Sequence, residues 1–234
     1  MKKFFKFENE NIDFPFYNGK PLLSTPDWLI LLAGVLAFIG LLFIRTPFDN
    51  NTISVLLCLS VLIPIIYVSK GKFELIFRKP KRKDIKLIIL CLIGYYIYTL
   101  SITIVIDVLH MAPVENAVFS VDMNLVFWIT VFIQLLGEEL YKLSVFLILM
   151  HLLYKFTNDR KISLICSAIM TLLSFGLLHY HSYNGNLAQI ICVIGIGGLI
   201  YFYPYLKTKN IVIAYIVHIL IDAIPFLIST IYQI

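Results

Sequence analysis

Seven runs of apolar residues separated by short polar joints account for most of the chain. They lie at about Trp28 to Ile44, Ile53 to Val68, Leu87 to Leu109, Leu125 to Phe156, Ile162 to His179, Leu187 to Tyr205, and Ile211 to the end. A helix needs about 17 to 25 such residues to cross a bilayer, and the first two runs stand near that minimum. Pro64 in the second run and Pro225 in the last are tolerable in a membrane helix where neighbours satisfy the freed carbonyl. The fourth run, at about 32 residues, would extend about 48 Å against a core of roughly 30 Å, which predicts a tilted or overhanging helix. Gly195, Gly197 and Gly198 in the sixth run are read as sites of close helix packing. The pattern predicts an all-helical polytopic membrane bundle of about seven spans. It divides into a mixed polar and aromatic segment at the interface (1–25), amino-terminal transmembrane helices (26–119) and a carboxy-terminal core (120–234).

The composition agrees: 60% of residues are hydrophobic and 14% charged, which excludes a soluble domain of this length. Cys58, Cys91, Cys166 and Cys192 all fall inside predicted spans and form no CxxC pair, so they suggest neither a disulfide framework nor a thiolate metal site. The formal net charge of +5 does not point to nucleic acid, because the basic residues flank membrane spans. Lysine and arginine mark the cytoplasmic side. This puts the start, with Lys2, Lys3 and Lys6, inside together with the joints at 70–86, 155–161 and 207–209. The joint from His110 to Asp122 has neither residue and belongs outside, and the carboxyl terminus is expected outside too. The basic joint at 70–86 is also suited to anionic lipid headgroups. The opening residues lack the apolar run of a cleavable signal, so none is expected. No internal repeat supports a repeat-built transporter.

Against this apolar background Glu138, Glu139 and Lys142 stand in the middle of the fourth run. A charge at bilayer depth costs at least about 2.5 to 3.5 kcal/mol on insertion scales, so each needs a partner. Glu138 and Lys142 are four apart, in the favourable order for an ion pair, which leaves Glu139 without one. His179 lies four residues after Phe175, on one face of the fifth run. His218 lies four residues before Asp222 on the seventh, where the acid can fix the imidazole's tautomer and orientation. A carboxylate beside a neutral histidine in a low-dielectric pocket can take a proton from water while an imidazole stabilises the oxyanion formed at a carbonyl. Glu138, His179 and His218 would equally suit a zinc ion with an open position for water. Neither HExxH nor GxSxG is present, and a serine mechanism would have to recruit Ser144 or Ser174 without a motif. Counted from the inner ends of their runs, Glu138 and His179 lie about 26 Å deep but His218 only about 11 Å. Tilt and a kink near Pro225 are needed to bring them together.

Glu138-Glu139, Phe175-Gly-Leu-Leu-His179 and His218-Ile-Leu-Ile-Asp222 together resemble the CPBP family of intramembrane proteases, which includes the Rce1-type CAAX prenyl proteases and bacterial Abi proteins linked to bacteriocin self-immunity. That family shows Glu-Glu-x-x-x-Arg, Phe-x-x-x-His and His-x-x-x-Asn/Asp on separate membrane helices, and the matching motifs span about residues 120 to 225 here. Where the family has arginine this chain has Leu143, and the nearest base is Lys142, expected on a different face and without arginine's planar fork. The resemblance implies a CPBP/Rce1-like core and an endopeptidase acting on a membrane-associated protein or peptide, with bacteriocin processing or self-immunity as one role. It makes Glu138 the water-activating acid and Glu139 its support. His179, His218 and Asp222 become oxyanion-stabilising or metal-coordinating groups, and Phe175 a neighbour that shapes the site. The partners expected are membrane lipids and a membrane-associated peptide, with no nucleic acid. Zinc and metal-free glutamate chemistry remain equally compatible. Two other readings compete: an immunity or binding protein that has lost catalysis, which Leu143 favours, and a small proton-coupled transporter using the buried acids and histidines as a relay.

Overall fold

A computed structural model describes residues 4–111, 114 and 123–232, without the side chains of the last four, and is all-helical there apart from an isolated bridge between Tyr17 and Pro21. Seven long helices follow one another: α1 (Thr25–Phe43), α2 (Asn50–Ser69), α3 (Arg82–Val108), α4 (Leu125–Thr157), α5 (Arg160–Leu178), α6 (Gly198–Thr208) and α7 (Ile211–Tyr232). A π-helical turn, Gln189–Ile196, leads into α6. By length and composition 6 segments can cross a membrane, and α4, which carries the charged residues, is the other long helix. The predicted outer joint at 110–122 lies largely outside the described residues.

Local chemistry explains the boundaries. Ser24 and Asp27 form a capping box at the start of α1, next to Pro26. Asp49 and Asp159 accept from backbone amides in the first turns of α2 and α5, groups that a helix start otherwise leaves unpaired. Lys70, Asn158 and Lys209 close α2, α4 and α6 in the left-handed region.

Helix α4 is the axis of the bundle and packs against α1, α2, α5 and α7. Close approach is built in by glycine. A Cβ on Gly137 would lie 2.8 Å from the Cα of Cys58 on α2, and one on Gly176 of α5 would lie 2.6 Å from the Ile190 carbonyl oxygen. Each glycine adjoins a predicted site residue, Glu138 or Phe175, so these contacts fix how far the neighbouring walls stand from the chemistry. Pro225 in α7 cannot donate to the Ile221 carbonyl one turn back. The Tyr96 hydroxyl, from α3, donates to that oxygen at 2.9 Å.

The amino-terminal segment and the three basic joints meet at one end. Phe14 and Tyr17 are buried there, and the Tyr17 hydroxyl donates to the Leu147 carbonyl at 3.0 Å. Glu8 lies 3.0 Å from Arg160 and 2.6 Å from Lys209, while Arg160 reaches Asp13 at 2.9 Å. Arg78 donates to the carbonyls of Thr208 and Lys209. The segment read as interfacial is therefore a folded plug packed into the bundle's end. Lys209 and Asn210, in the turn before α7, are themselves buried beneath it. His218 nevertheless meets Glu138, with Nε2 3.9 Å from Oε2, although their depths counted from the helix ends differ.

Candidate active site

Glu138 and Glu139, adjacent on α4, point into different environments. Glu138 lines a cavity of ≈ 840 Å³ that also takes in His179, His218 and Asp222, from α7 and the end of α5. The structure thus brings together four of the residues singled out by spacing alone. Gln134, one turn before Glu138, donates its amide to Glu138 Oε1 at 3.1 Å and accepts from the Ser54 hydroxyl at 2.9 Å. A chain of polar contacts from α2 thereby fixes one carboxylate oxygen. The other, Oε2, stands 3.9 Å from His218 Nε2.

Glu139 is fully buried and does not line the cavity. Its Oε1 meets the Lys142 ammonium and lies 2.7 Å from His218 Nδ1. The expected pairing of Lys142 with Glu138 is corrected: an i,i+3 contact to Glu139 forms instead of the i,i+4 one. Glu139, expected to lack a partner, has two. The expectation that Lys142 projects away from the useful face also fails, since residues three and four positions after Glu139 both reach its side of the helix. Lys142 Nζ lies 4.4 Å from the ring centre of Phe175 and 4.1 Å from that of Tyr201, cation–π contacts that replace the water a buried ammonium loses. Leu143, at the position of the family's arginine, is simply core.

The two cavity histidines each turn Nδ1 away from the cavity, towards a protein oxygen. His218 Nδ1 faces Glu139, so that proton is directed at the carboxylate and Nε2 faces the cavity, with Asp222 Oδ2 at 3.7 Å. The acid that fixes this imidazole from behind is Glu139, while Asp222 stands on the reactive side. Tyr201 stacks on the same ring at 4.6 Å and 14°. His179 Nδ1 is 3.0 Å from the Phe175 carbonyl oxygen. A carbonyl only accepts, so Nδ1 carries the proton and Nε2 is the nitrogen free for the cavity.

The zinc alternative does not assemble. Among the described residues no three His, Cys, Asp or Glu side chains are grouped to hold one ion. The Lys142 ammonium also stands against the carboxylate next to His218. Ser144 and Ser174 lie outside the cavity lining, and Ser174 is engaged with the Thr171 carbonyl. Gln134, Tyr201 and Tyr96 are the residues that sequence reasoning missed. Gln134 was legible in principle, as a polar side chain one turn from Glu138 in an apolar run. Tyr201 and Tyr96 carry no such signal, because aromatic residues are common throughout the chain.

The family model for type II CAAX prenyl endopeptidases of the Rce1-like kind matches residues 120–224, the stretch from just before α4 into α7. No curated protein and no solved structure matches the chain.

Proposed function

From the match of residues 120–224 to the Rce1-like family model and the geometry of the site, we propose that the chain is an intramembrane endopeptidase that uses Glu138 to activate water against a peptide bond of a membrane-associated substrate. The observation that carries this reading is Glu138 itself: a carboxylate open to a cavity, anchored at Oε1 by Gln134 and facing His218 Nε2 at 3.9 Å through Oε2.

The steps follow from the groups present. Glu138 takes a proton from water, and the hydroxide adds to the carbonyl carbon of the scissile bond. The resulting oxyanion faces Nε2–H of His179 in its imidazolium form, the form able to donate there while Nδ1–H is given to Phe175. Glu138 then returns its proton to the amide nitrogen, the C–N bond breaks, and an amine and a carboxylate leave. His218, fixed from behind by Glu139 and stacked on Tyr201, orients Glu138 and the water between them. Asp222 borders the same Nε2. Lys142 serves as a positioning residue through Glu139. It supplies behind the site the positive charge whose absence at Leu143 favoured an inactive binding protein.

The orientation that goes with this reading has the plugged, basic end in the cytoplasm, following the positive-inside rule, and the chain in the cell membrane. The cavity is lined by Asn50, Thr103, Phe127 and Ser182, near the ends of the helices away from the plug, so substrate enters from the outer side or laterally from the outer leaflet.

Mass spectrometry of membrane and secreted peptides tests the reading, using cells that express either wild type or Glu138→Ala at equal membrane levels. Peptide termini that appear only with the wild type are expected. If the two profiles coincide and the variant retains whatever phenotype the wild type confers, the fold serves binding and the peptidase reading is wrong.

A further inference from the structure

A second space, of ≈ 750 Å³, opens at the plugged end of the bundle between α3, α5 and α6 and shares no lining residue with the central cavity. Its floor is buried, at Cys91, Leu164, Ala168 and Leu206, and its rim is exposed, at Leu90, Ile165, Ile169 and Leu199. It is a cleft open to the side, walled by apolar groups that face hydrocarbon when the helices span a bilayer. The plug supplies one wall. Phe5 and Phe7 stack there at 5.4 Å, and Phe7 lies 5.6 Å from Tyr203 of α6.

One end of the cleft is cationic. Helices α3 and α5 start at the basic end and α6 finishes there, so each brings a lysine to it. On each helix that lysine stands four residues from a lining residue and shares its face: Lys86 with Leu90, Lys161 with Ile165, and Lys207 with Tyr203. Lys161 Nζ lies 4.6 Å from the ring centre of Phe5, and Lys207, itself part of the lining, places Nζ 5.8 Å from that of Tyr203. The lining holds no acid. The acids next to these groups in the chain are engaged elsewhere: Glu8 by Arg160 and Lys209, and Asp84 and Asp159 by backbone amides at the starts of α3 and α5. Topology accounts for lysine at this end, but not for lysines in register with one apolar cleft on all of its helices.

We infer that the cleft binds an acidic phospholipid, with one acyl chain between α3, α5 and α6 and the phosphate among Lys86, Lys161 and Lys207. Basic pockets between membrane helices on the cytoplasmic side suit such headgroups. A zwitterionic lipid offers the same chain, but the cation of its own head opposes the lysines. Because Phe5 and Phe7 form a wall of the cleft, the lipid also ties the plug to the bilayer. This inference does not rest on the peptidase reading.

The test takes the purified full chain, stripped of lipid by detergent washing, and titrates it with phosphatidylglycerol or with phosphatidylcholine carrying identical chains. Bound lipid is counted by native mass spectrometry. About one tight phosphatidylglycerol per chain is expected, held about tenfold or more better than phosphatidylcholine and weakened by added salt. Replacing the lysines together, as Lys86→Gln, Lys161→Gln and Lys207→Gln, should abolish the preference. Inorganic phosphate at the same concentration, which has the charge without the chain, should leave the lipid bound. Equal retention of the two lipids would mean that the cleft takes a hydrocarbon tail whatever its head, and overturns the inference. So does a preference that survives in the triple variant, or displacement by phosphate alone. If the triple variant is not recovered folded, Ile165→Trp, which narrows the cleft at its exposed rim, decides. It should weaken phosphatidylglycerol binding, and unchanged binding would place the lipid elsewhere.

Discussion

At the basic end of the bundle Glu8 and Asp13 meet Arg160 and Lys209, and in its middle Glu138, Glu139 and Asp222 meet Lys142 and two histidines. Both clusters bury charge in an apolar protein, yet they are built differently. The first has two acids and two bases and packs against the Phe14 ring, with Lys209 Nζ at 3.8 Å from its centre, and the lining of the central cavity includes none of its members. The second has three acids to one lysine and opens onto that cavity. Glu139 and Lys142 form its closed half, and Glu138 with Asp222 its open half. A buried charge is therefore no sign of chemistry by itself. What separates a staple from a candidate catalyst here is surplus acid with access to a space for substrate.

The sharpest break between the clusters comes from truncating one member of each. Glu138→Ala should lower peptide cleavage by about 10²- to 10⁴-fold, the usual contribution of a positioned acid–base group, with little change in thermal stability, because Glu138 borders open space. Arg160→Ala should do the reverse. Leaving Glu8 and Asp13 short of a counter-charge costs about 3 to 5 kcal/mol, while the folded fraction should cut substrate at the wild-type rate. Thermal melts and specific activity measured on the same preparations decide both, and an inactive but well-folded Arg160→Ala protein would tie the plug to the chemistry.

A finer division lies inside the central cluster. Replacing Glu139 and Lys142 together, as Glu139→Gln with Lys142→Met, removes both buried charges at once, and a buried pair exchanged in this way is often neutral for stability. Cleavage should still fall by about 10- to 100-fold, the size of effect found when the outer partner of a functional histidine is lost, because His218 Nδ1 loses its carboxylate. A double variant with unchanged kcat would show that Tyr201 stacking alone holds the imidazole.

How far the sequence reveals this arrangement depends on the kind of interaction. Spacing on single helices was informative: Phe175 and His179, or His218 and Asp222, share a face because residues four apart must. A choice between neighbouring spacings was not. Lys142 can reach Glu138 at i−4 or Glu139 at i−3, and the decision comes from α7, whose His218 sits beside Glu139, and from Phe175 and Tyr201, which line the ammonium's niche. The plug was illegible for a related reason. Glu8, Asp13, Arg160 and Lys209 come from three distant parts of the chain, and each alone reads as an interfacial charge. Their meeting also buries the turn before α7, with Lys209 and Asn210 inside the bundle's end.

The smallest expected effect tests the closed cluster by pH. Burial pulls the Lys209 ammonium down from its ordinary value of 10.5 to about 8, against the opposing influence of the Glu8 carboxylate at its side. Between about pH 8 and 10.5 the unfolded chain therefore holds a proton at this position that the folded chain has released. Stability rises with pH wherever the unfolded state binds more protons. The penalty for burying this ammonium is thus fully present below pH 8 and is relieved as the pH rises. Lys209→Met has no such proton to lose. The stability of wild type relative to Lys209→Met should grow by about 1 kcal/mol from pH 8 to pH 9, read as a rise of the wild-type denaturation midpoint relative to the variant's in the same detergent. A difference that stays constant over this range would mean that Lys209 is held charged by Glu8 more strongly than burial discharges it. The closed cluster would then be an ion pair whose strength, rather than whose desolvation, governs that end of the bundle.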